Sequence, residues 1–380
     1  MTRSLLRRVH RWIGLALALP LILEALTGLI MAADPFVASI VEIPSANGSL
    51  SAPDDLRGMD VAAILATARA AASVELVPVR WRVQPDAVVA VDFAVPGQQQ
   101  PAEQVAVDAV LDRVVSVRRD PDTFYRWVHL LHETLLLGAT GRDITGWFGV
   151  GLLLLGLSGI PIWWPPRRRW RTGFTIARGA SGWRLQRDLH GAAGIWLIVL
   201  LLLQSLSGVT MAFPRTARAL VGLPEPPRRA DRPAPGAPID PARAIAAGVA
   251  AAEAAMPEAL LLDLRLPAVA GRPMMAFLLP PGRWEGSPRA VVTMDPTTAR
   301  VLSMQDPATT PAGASVLNWL RAVHQGGAAG PAGRVLLCLF GLAMPLFPVT
   351  GIAMWVLRRR RRGRAATRAA DASVAANAGE

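Results

Sequence analysis

The chain has 380 residues, 52% of them hydrophobic and 18% charged, and a net charge of +12 to which Lys contributes nothing: all 40 Lys-plus-Arg positions are Arg. Its one cysteine, Cys338, lies inside an apolar run, which excludes a disulfide framework and a cysteine-based metal site. No basic face interleaved with stacking aromatics accompanies the charge, so no nucleic-acid partner is expected.

Residues 1–33 carry four Arg before position 12 and run into Ile13–Ala33, the first of four apolar stretches long enough to cross a bilayer. An Arg-rich start followed by an apolar run also describes a signal peptide. This run, however, exceeds the ~7–15 apolar residues of one, contains Glu24 and returns mid-chain, so it reads as an anchor. Residues 34–120 predict a small α+β domain. A helical stretch, Met59–Ala72, is apolar at Val61, Ile64, Leu65 and Ala68, and strand-like runs follow at Val77–Val83, Val88–Val95, Gln104–Val110 and Arg113–Val117. Residues 121–165 hold an amphipathic stretch, Thr123–Leu137, expected to dip into the membrane face as a re-entrant helix, then a Gly-containing turn and the second span, Gly146–Trp164. The loop 166–189 is short and Arg-rich, and 190–213 is the third span, with its apolar run at Gly191–Phe213. In 214–310 a Pro-rich linker, Leu223–Pro238, leads to a second α+β domain: a helix at Pro241–Ala255, then strands at Leu260–Leu266, Met274–Leu279, Ala290–Asp295 and Arg300–Met304. Residues 311–357 repeat the amphipathic stretch at Ser315–Gln325 and end in the fourth span, Val335–Leu357, before an Arg-rich tail over 358–380.

The fold class expected is therefore an α-helical integral membrane bundle of four main spans with internal duplication, carrying two small α+β extracytoplasmic domains. Eighteen Arg sit in residues 1–11, 165–189 and 358–380 against only Asp188, Asp371 and Glu380. Short Arg-rich flanks stay cytoplasmic, which predicts both termini inside and 34–145 and 214–334 outside. Trp163, Trp164 and Trp355 read as interfacial anchors, and Pro161, Pro345 and Pro348 as kinks inside spans.

The duplication is legible residue by residue. His10, Gly14, Glu24, Gly28 and Met31 return 180 positions later as His190, Gly194, Gln204, Gly208 and Met211. Trp127, His132, Gly141, Arg142, Phe148, Gly149, Gly159 and Trp163 return after 192 as Trp319, His324, Gly333, Arg334, Phe340, Gly341, Gly351 and Trp355. On a straight helix His10, Gly14, Leu17, Leu21, Glu24 and Gly28 share one face, since 18 residues make five turns, and an intramembrane Glu faces the bundle interior. Two imidazoles at one depth and two at another, one per half, suit paired axial ligands for haem. For each the alternative is an interfacial or core histidine. Gly14 and Gly194 would let a macrocycle lie close to backbone, as would Gly28 and Gly208 about 27 Å along the helix from His10. His129 has no repeat partner, because Arg321 stands there, and reads as a surface residue or an approach to the outer haem; His129 and His132 alone do not make a zinc site. Glu24 is either a proton relay or charge balance, or a hydrogen bond across the two-fold interface, and the last is the simpler.

These features together resemble the PepSY-associated transmembrane proteins, a family that includes iron-regulated inner-membrane proteins and ferric-siderophore reductases. The resemblance covers nearly all of residues 1–362. It implies a PepSY domain in each half, a bacterial inner-membrane location, and two b-type haems held by His10 with His190 and by His132 with His324. The function then expected is electron transfer across the membrane, from quinol or a cytoplasmic reductase to a periplasmic ferric chelate. No Cys-x-x-Cys-His is present for covalent haem, and no Gly-x-Gly-x-x-Gly follows a strand to hold a nicotinamide, so the donor is a separate molecule. A competing expectation is a non-catalytic, membrane-anchored PepSY module regulating a periplasmic peptidase. A transporter is weaker, because only Glu24 offers a site at midplane.

Overall fold

The computed structural model describes residues 3–41, 59–84, 87–98, 100–119, 123–224, 239–267, 272–283 and 288–377. In chain order it runs α1 (Arg3–Ala16), α2 (Ala18–Val41), α3 (Val61–Ala71), β1 (Val77–Gln84), β2 (Val88–Ala94), β3 (Pro101–Asp108) and β4 (Arg113–Arg119). Next come α4 (Thr123–Thr134), α5 (Gly138–Trp163), α6 (Trp170–Gly173), α7 (Gly182–Ala212) and α8 (Pro214–Leu220). The second half continues with α9 (Pro241–Ala255), β5 (Leu260–Arg265), β6 (Met274–Leu279), β7 (Ala290–Met294), β8 (Val301–Gln305), α10 (Ala312–His324), α11 (Gly330–Ala343) and α12 (Leu346–Asn377). Two compact units result: a helical one from 1–34, 127–217 and 323–380, and a sheet unit from 35–126 and 218–322. The Pro-rich linker expected at Leu223–Pro238 lies almost wholly outside the described residues.

In the helical unit, α5, α7 and the stretch Gly327–Arg361 are each long and apolar enough to cross a membrane, and α1 with α2 as far as Ala33 passes the same test only as a pair, bent by 59°, which makes a fourth candidate if the pair is one span. The bend corrects the expectation of one straight first span. Pro20 has no N–H to give the Ala16 carbonyl, and its ring crowds that same carbonyl. The ladder therefore steps past it, with Leu17 N donating to Ile13 O and Leu21 N to Leu17 O. The repeat position is Leu200, and α7 runs unbroken through it. Pro345 falls in the gap between α11 and α12, whereas Pro161 is accommodated inside α5. Helices α5 and α7 approach closely because α5 presents glycines: a Cβ at Gly156 would lie 2.6 Å from Leu201 Cδ2, and one at Gly149 3.0 Å from Val209 Cγ2. Large apolar side chains such as Leu19, Trp147, Trp196 and Leu342 remain exposed, as lipid-facing residues do.

The sheet unit corrects a second expectation. The two α+β segments do not form separate domains. They share one antiparallel eight-stranded sheet of order β4-β3-β2-β1-β5-β6-β7-β8. Its seam is β1 on β5, pairing Arg80 with Arg265, Trp81 with Leu264 and Arg82 with Asp263. One continuous core serves both halves: Trp81, Val91, Phe93 and Val105 from the first sheet half, Leu264, Met274, Leu278 and Met294 from the second, and Ile64 and Ile245 from α3 and α9. Asp60 and Asp240 cap those helices by accepting from the first free backbone amides. Across the seam Arg80 donates to both carboxylate oxygens of Asp263 at 2.7 and 2.8 Å; within the first half Arg82 donates to Asp92 on β2 at 2.8 Å. Among the described residues, pairing two edges in this way leaves β4 and β8 at the rims, and β4 is guarded by Arg113, Arg118 and Arg119.

Candidate functional site

The four repeat-related histidines meet in two pairs inside the helical unit. His10 on α1 and His190 on α7 have ring centroids 6.3 Å apart, with ring planes at 78°. His132 on α4 and His324 on α10 also lie 6.3 Å apart, with planes at 48°. Each pair takes one ring from each half of the duplication.

A hydroxyl holds each ring by Nδ1. The His10 Nδ1 is 2.8 Å from Ser158 Oγ, the His190 Nδ1 2.9 Å from Thr350 Oγ1, the His132 Nδ1 2.9 Å from Thr27 Oγ1, and the His324 Nδ1 3.0 Å from Ser207 Oγ. All four hydroxyls direct their own hydrogen back to their helix: Ser158 to Leu155 O, Thr350 to Leu346 O, Thr27 to Leu23 O and Ser207 to Gln204 O. A hydroxyl that has donated its proton accepts from the imidazole, so Nδ1 carries the ring proton and Nε2 the lone pair. That tautomer is the metal-binding one, set by a hydrogen bond to the other nitrogen.

A centroid spacing of 6.3 Å is that of an ordinary tilted or edge-to-face ring contact, and it also matches a metal held between the rings. A direct N–H···N bond between facing imidazoles would bring the centroids to about 5 Å. A metal held about 2.0 Å from each Nε2 sets them roughly 6–6.5 Å apart, which is where both pairs stand. Among the described residues no group of three or more His, Cys, Asp or Glu could hold a metal ion. Two imidazoles are too few ligands for zinc, whereas His10 with His190, and His132 with His324, would hold a haem, whose macrocycle would supply the remaining nitrogens. The residues present fit the group that the family resemblance implies.

Glycines adjoin two of the rings. A Cβ at Gly28 would come 3.3 Å from His132 Cε1, and one at Gly208 equally close to His324 Cε1. A Cβ at Gly14 would meet Leu155 Cδ2, and one at Gly194 Phe347 Cε1, both at ordinary contact distance. Phe347 also stands edge-on to His190, with centroids 5.4 Å apart. His129 belongs to neither pair. Its side chain is half exposed, 3.9 Å from Glu133 Oε2. Glu24 Oε2 lies 3.1 Å from His132 Nδ1, a contact within the first half and not across the two-fold interface. The reason is local, since Glu24 and Thr27 sit one turn apart on α2 and both meet the same ring nitrogen.

The four hydroxyls are the residues that the sequence reading missed. Their signal was present: Thr27-Gly28, Ser207-Gly208, Ser158-Gly159 and Thr350-Gly351 are hydroxyl–glycine dipeptides at matched repeat positions.

The comparison with known proteins agrees in extent. An uncharacterized protein of Pseudomonas aeruginosa is 37% identical over 106 residues, which is 26% of this chain. The match spans a quarter of that relative's length. Residues 7–358 match the family described as the PepSY-associated TM region. A multi-pass helical unit with a duplicated histidine scaffold, joined in the same chain to an antiparallel sheet, belongs to that family.

Proposed function

We propose that this chain is a di-haem membrane oxidoreductase that passes electrons across a bacterial inner membrane to a periplasmic ferric chelate. The observation that carries the reading is the twofold recurrence of one arrangement: two imidazoles 6.3 Å apart, each tied through Nδ1 to a hydroxyl that leaves Nε2 as the ligating atom. Haem, when bound, supplies one-electron chemistry that no side chain here offers.

The chain's own residues divide the remaining work. His10 and His190 would form the carrier site on the cytoplasmic side, and His132 and His324 that on the periplasmic side. Ser158, Thr350, Thr27 and Ser207 hold ring orientation and tautomer, so that little reorganisation accompanies a change of charge. The Arg-rich flanks support cytoplasmic termini. Along α7, His190 and Ser207 are about 25 Å apart by helical rise, so two separate sites are needed to span the apolar layer. The donor is quinol or a cytoplasmic reductase.

The test is the visible spectrum and haem content of the purified chain from haem-replete cells. Two haems per chain are expected. Replacing His10 or His190 with Ala should remove one, and replacing His132 or His324 the other, with each double variant resembling its singles. His129→Ala should leave both. A wild-type preparation without a Soret band rejects the proposal and leaves a PepSY binding module as the better account.

A further inference from the structure

The two halves of the duplication are not electronically equivalent. Beside His132 the first half places a carboxylate, Glu24, with Oε2 3.1 Å from Nδ1. At the matching position the second half has Gln204, a neutral amide whose Nε2 donates to the Val323 carbonyl at 3.1 Å. The other oxygen of Glu24, Oε1, is buried with no hydrogen-bond partner among the described residues. A carboxylate half buried in a span without a matching cation is costly to keep. It becomes favourable when the group across the imidazole bears positive charge.

Resting on the di-haem reading above, we propose that Glu24 is a tuning residue that makes the haem between His132 and His324 the harder of its kind to reduce, and so the stronger donor to the acceptor. The physics is that of a ligand with a charged outer partner. Glu24 Oε2 stands beside the same Nδ1 that meets Thr27 Oγ1, and a negative charge there draws the proton away from the ring and raises the basicity of Nε2. A more basic ligand favours the oxidised iron, which carries one more positive charge than the reduced iron. The apolar surroundings strengthen the interaction beyond what it would be in water. The hydroxyls at His10, His190 and His324, like Thr27 at His132 itself, offer a dipole and no net charge. Glu24 does not touch the acceptor and acts only through His132.

The experiment is a potentiometric titration of the purified full-length, haem-loaded protein, followed by its visible bands, in wild type and Glu24→Gln. The isosteric amide keeps size and polarity and removes the charge. One haem should become easier to reduce by at least tenfold in its equilibrium constant, which is 59 mV for a one-electron couple. The other haem should not move, and the haem content should stay at the wild-type value. In a His10→Ala background, where the remaining haem is the one between His132 and His324, the same shift should appear alone. If Glu24→Gln yields no folded haem protein, Glu24→Met, close in volume and without charge, is read in the same way. Two haems with unmoved potentials, or with equal shifts, overturn the tuning role while leaving the di-haem proposal intact. A wild type without haem overturns both, and the haem content separates the two failures.

Discussion

An imidazole that is to hold a metal depends on the group at its far nitrogen, and at the four histidines proposed for that role the group is a serine or threonine each time. Removing such an outer partner typically costs about 10–100-fold in affinity. Ser158→Ala, Thr350→Val, Thr27→Val and Ser207→Ala are therefore expected to retain both haems at saturation but to lose one of them about 10–100-fold more readily to a haem-scavenging competitor protein. These hydroxyls were hard to see in the sequence because Ser and Thr are common inside spans, where they bond back to their own helix. The histidines were visible because one imidazole per half at two depths is rare. Chemistry also sits in the sheet unit, at Asp263. Burial pushes its carboxyl up, but the two hydrogen bonds and the charge of Arg80, together with Arg265, hold it below the usual carboxylate range. A lowered folded-state value stabilises the fold above the ordinary Asp range, and that stability is lost as pH falls through the lowered value. Unfolding of the detergent-solubilised protein should show the loss on acidification, and Asp263→Asn should cost roughly 1.5–3 kcal/mol near neutral pH and flatten that acid limb.

At the scale of the element, alternation of apolar and polar residues was enough to find the strands. Val77–Val83 was expected and β1 is Val77–Gln84; Met274–Leu279 was expected and is β6. The seam was not legible, because β1 and β5 each look like an ordinary strand, and nothing local records which edge meets which. The bend in the first span was within reach, since Pro20 stands in the sequence where Leu200 stands in the repeat. It also matters to the site, for His10 lies on α1 beyond the bend while Thr27 and Glu24 lie on α2. Pro20→Leu restores a donor to the Ala16 carbonyl and should straighten the span, carrying His10 away from His190. Its expected effect is selective loss of the haem between those two residues, read as a fall from two haems per chain toward one, with the His132–His324 band unchanged.

For the whole molecule, the duplication sets the pairing of the imidazoles. Every imidazole pair draws on both halves, so neither half is expected to hold a haem alone. Reporters fused after Glu380 and within Gly173–Gly179 should read cytoplasmic, and one inserted within Gly97–Pro101 should read periplasmic. A periplasmic C-terminus would reverse the depth of both haems and with it the direction proposed for the electrons.

The β1–β5 seam also has a cost in time. Arg80 and Asp263, which meet across it, are 183 residues apart in the chain. At about 5–20 residues per second of synthesis, the first half of the sheet waits roughly 10–40 s for its partner, while two further spans are made. Throughout that interval β1 presents an open strand edge, with Trp81 and its neighbours lacking half of their core. The nascent protein therefore has a window in which a foreign strand can occupy the place reserved for β5. A ribosome that pauses between residues 119 and 260 lengthens that window, so translation rate over the middle of the message bears directly on how much of this protein reaches its native sheet.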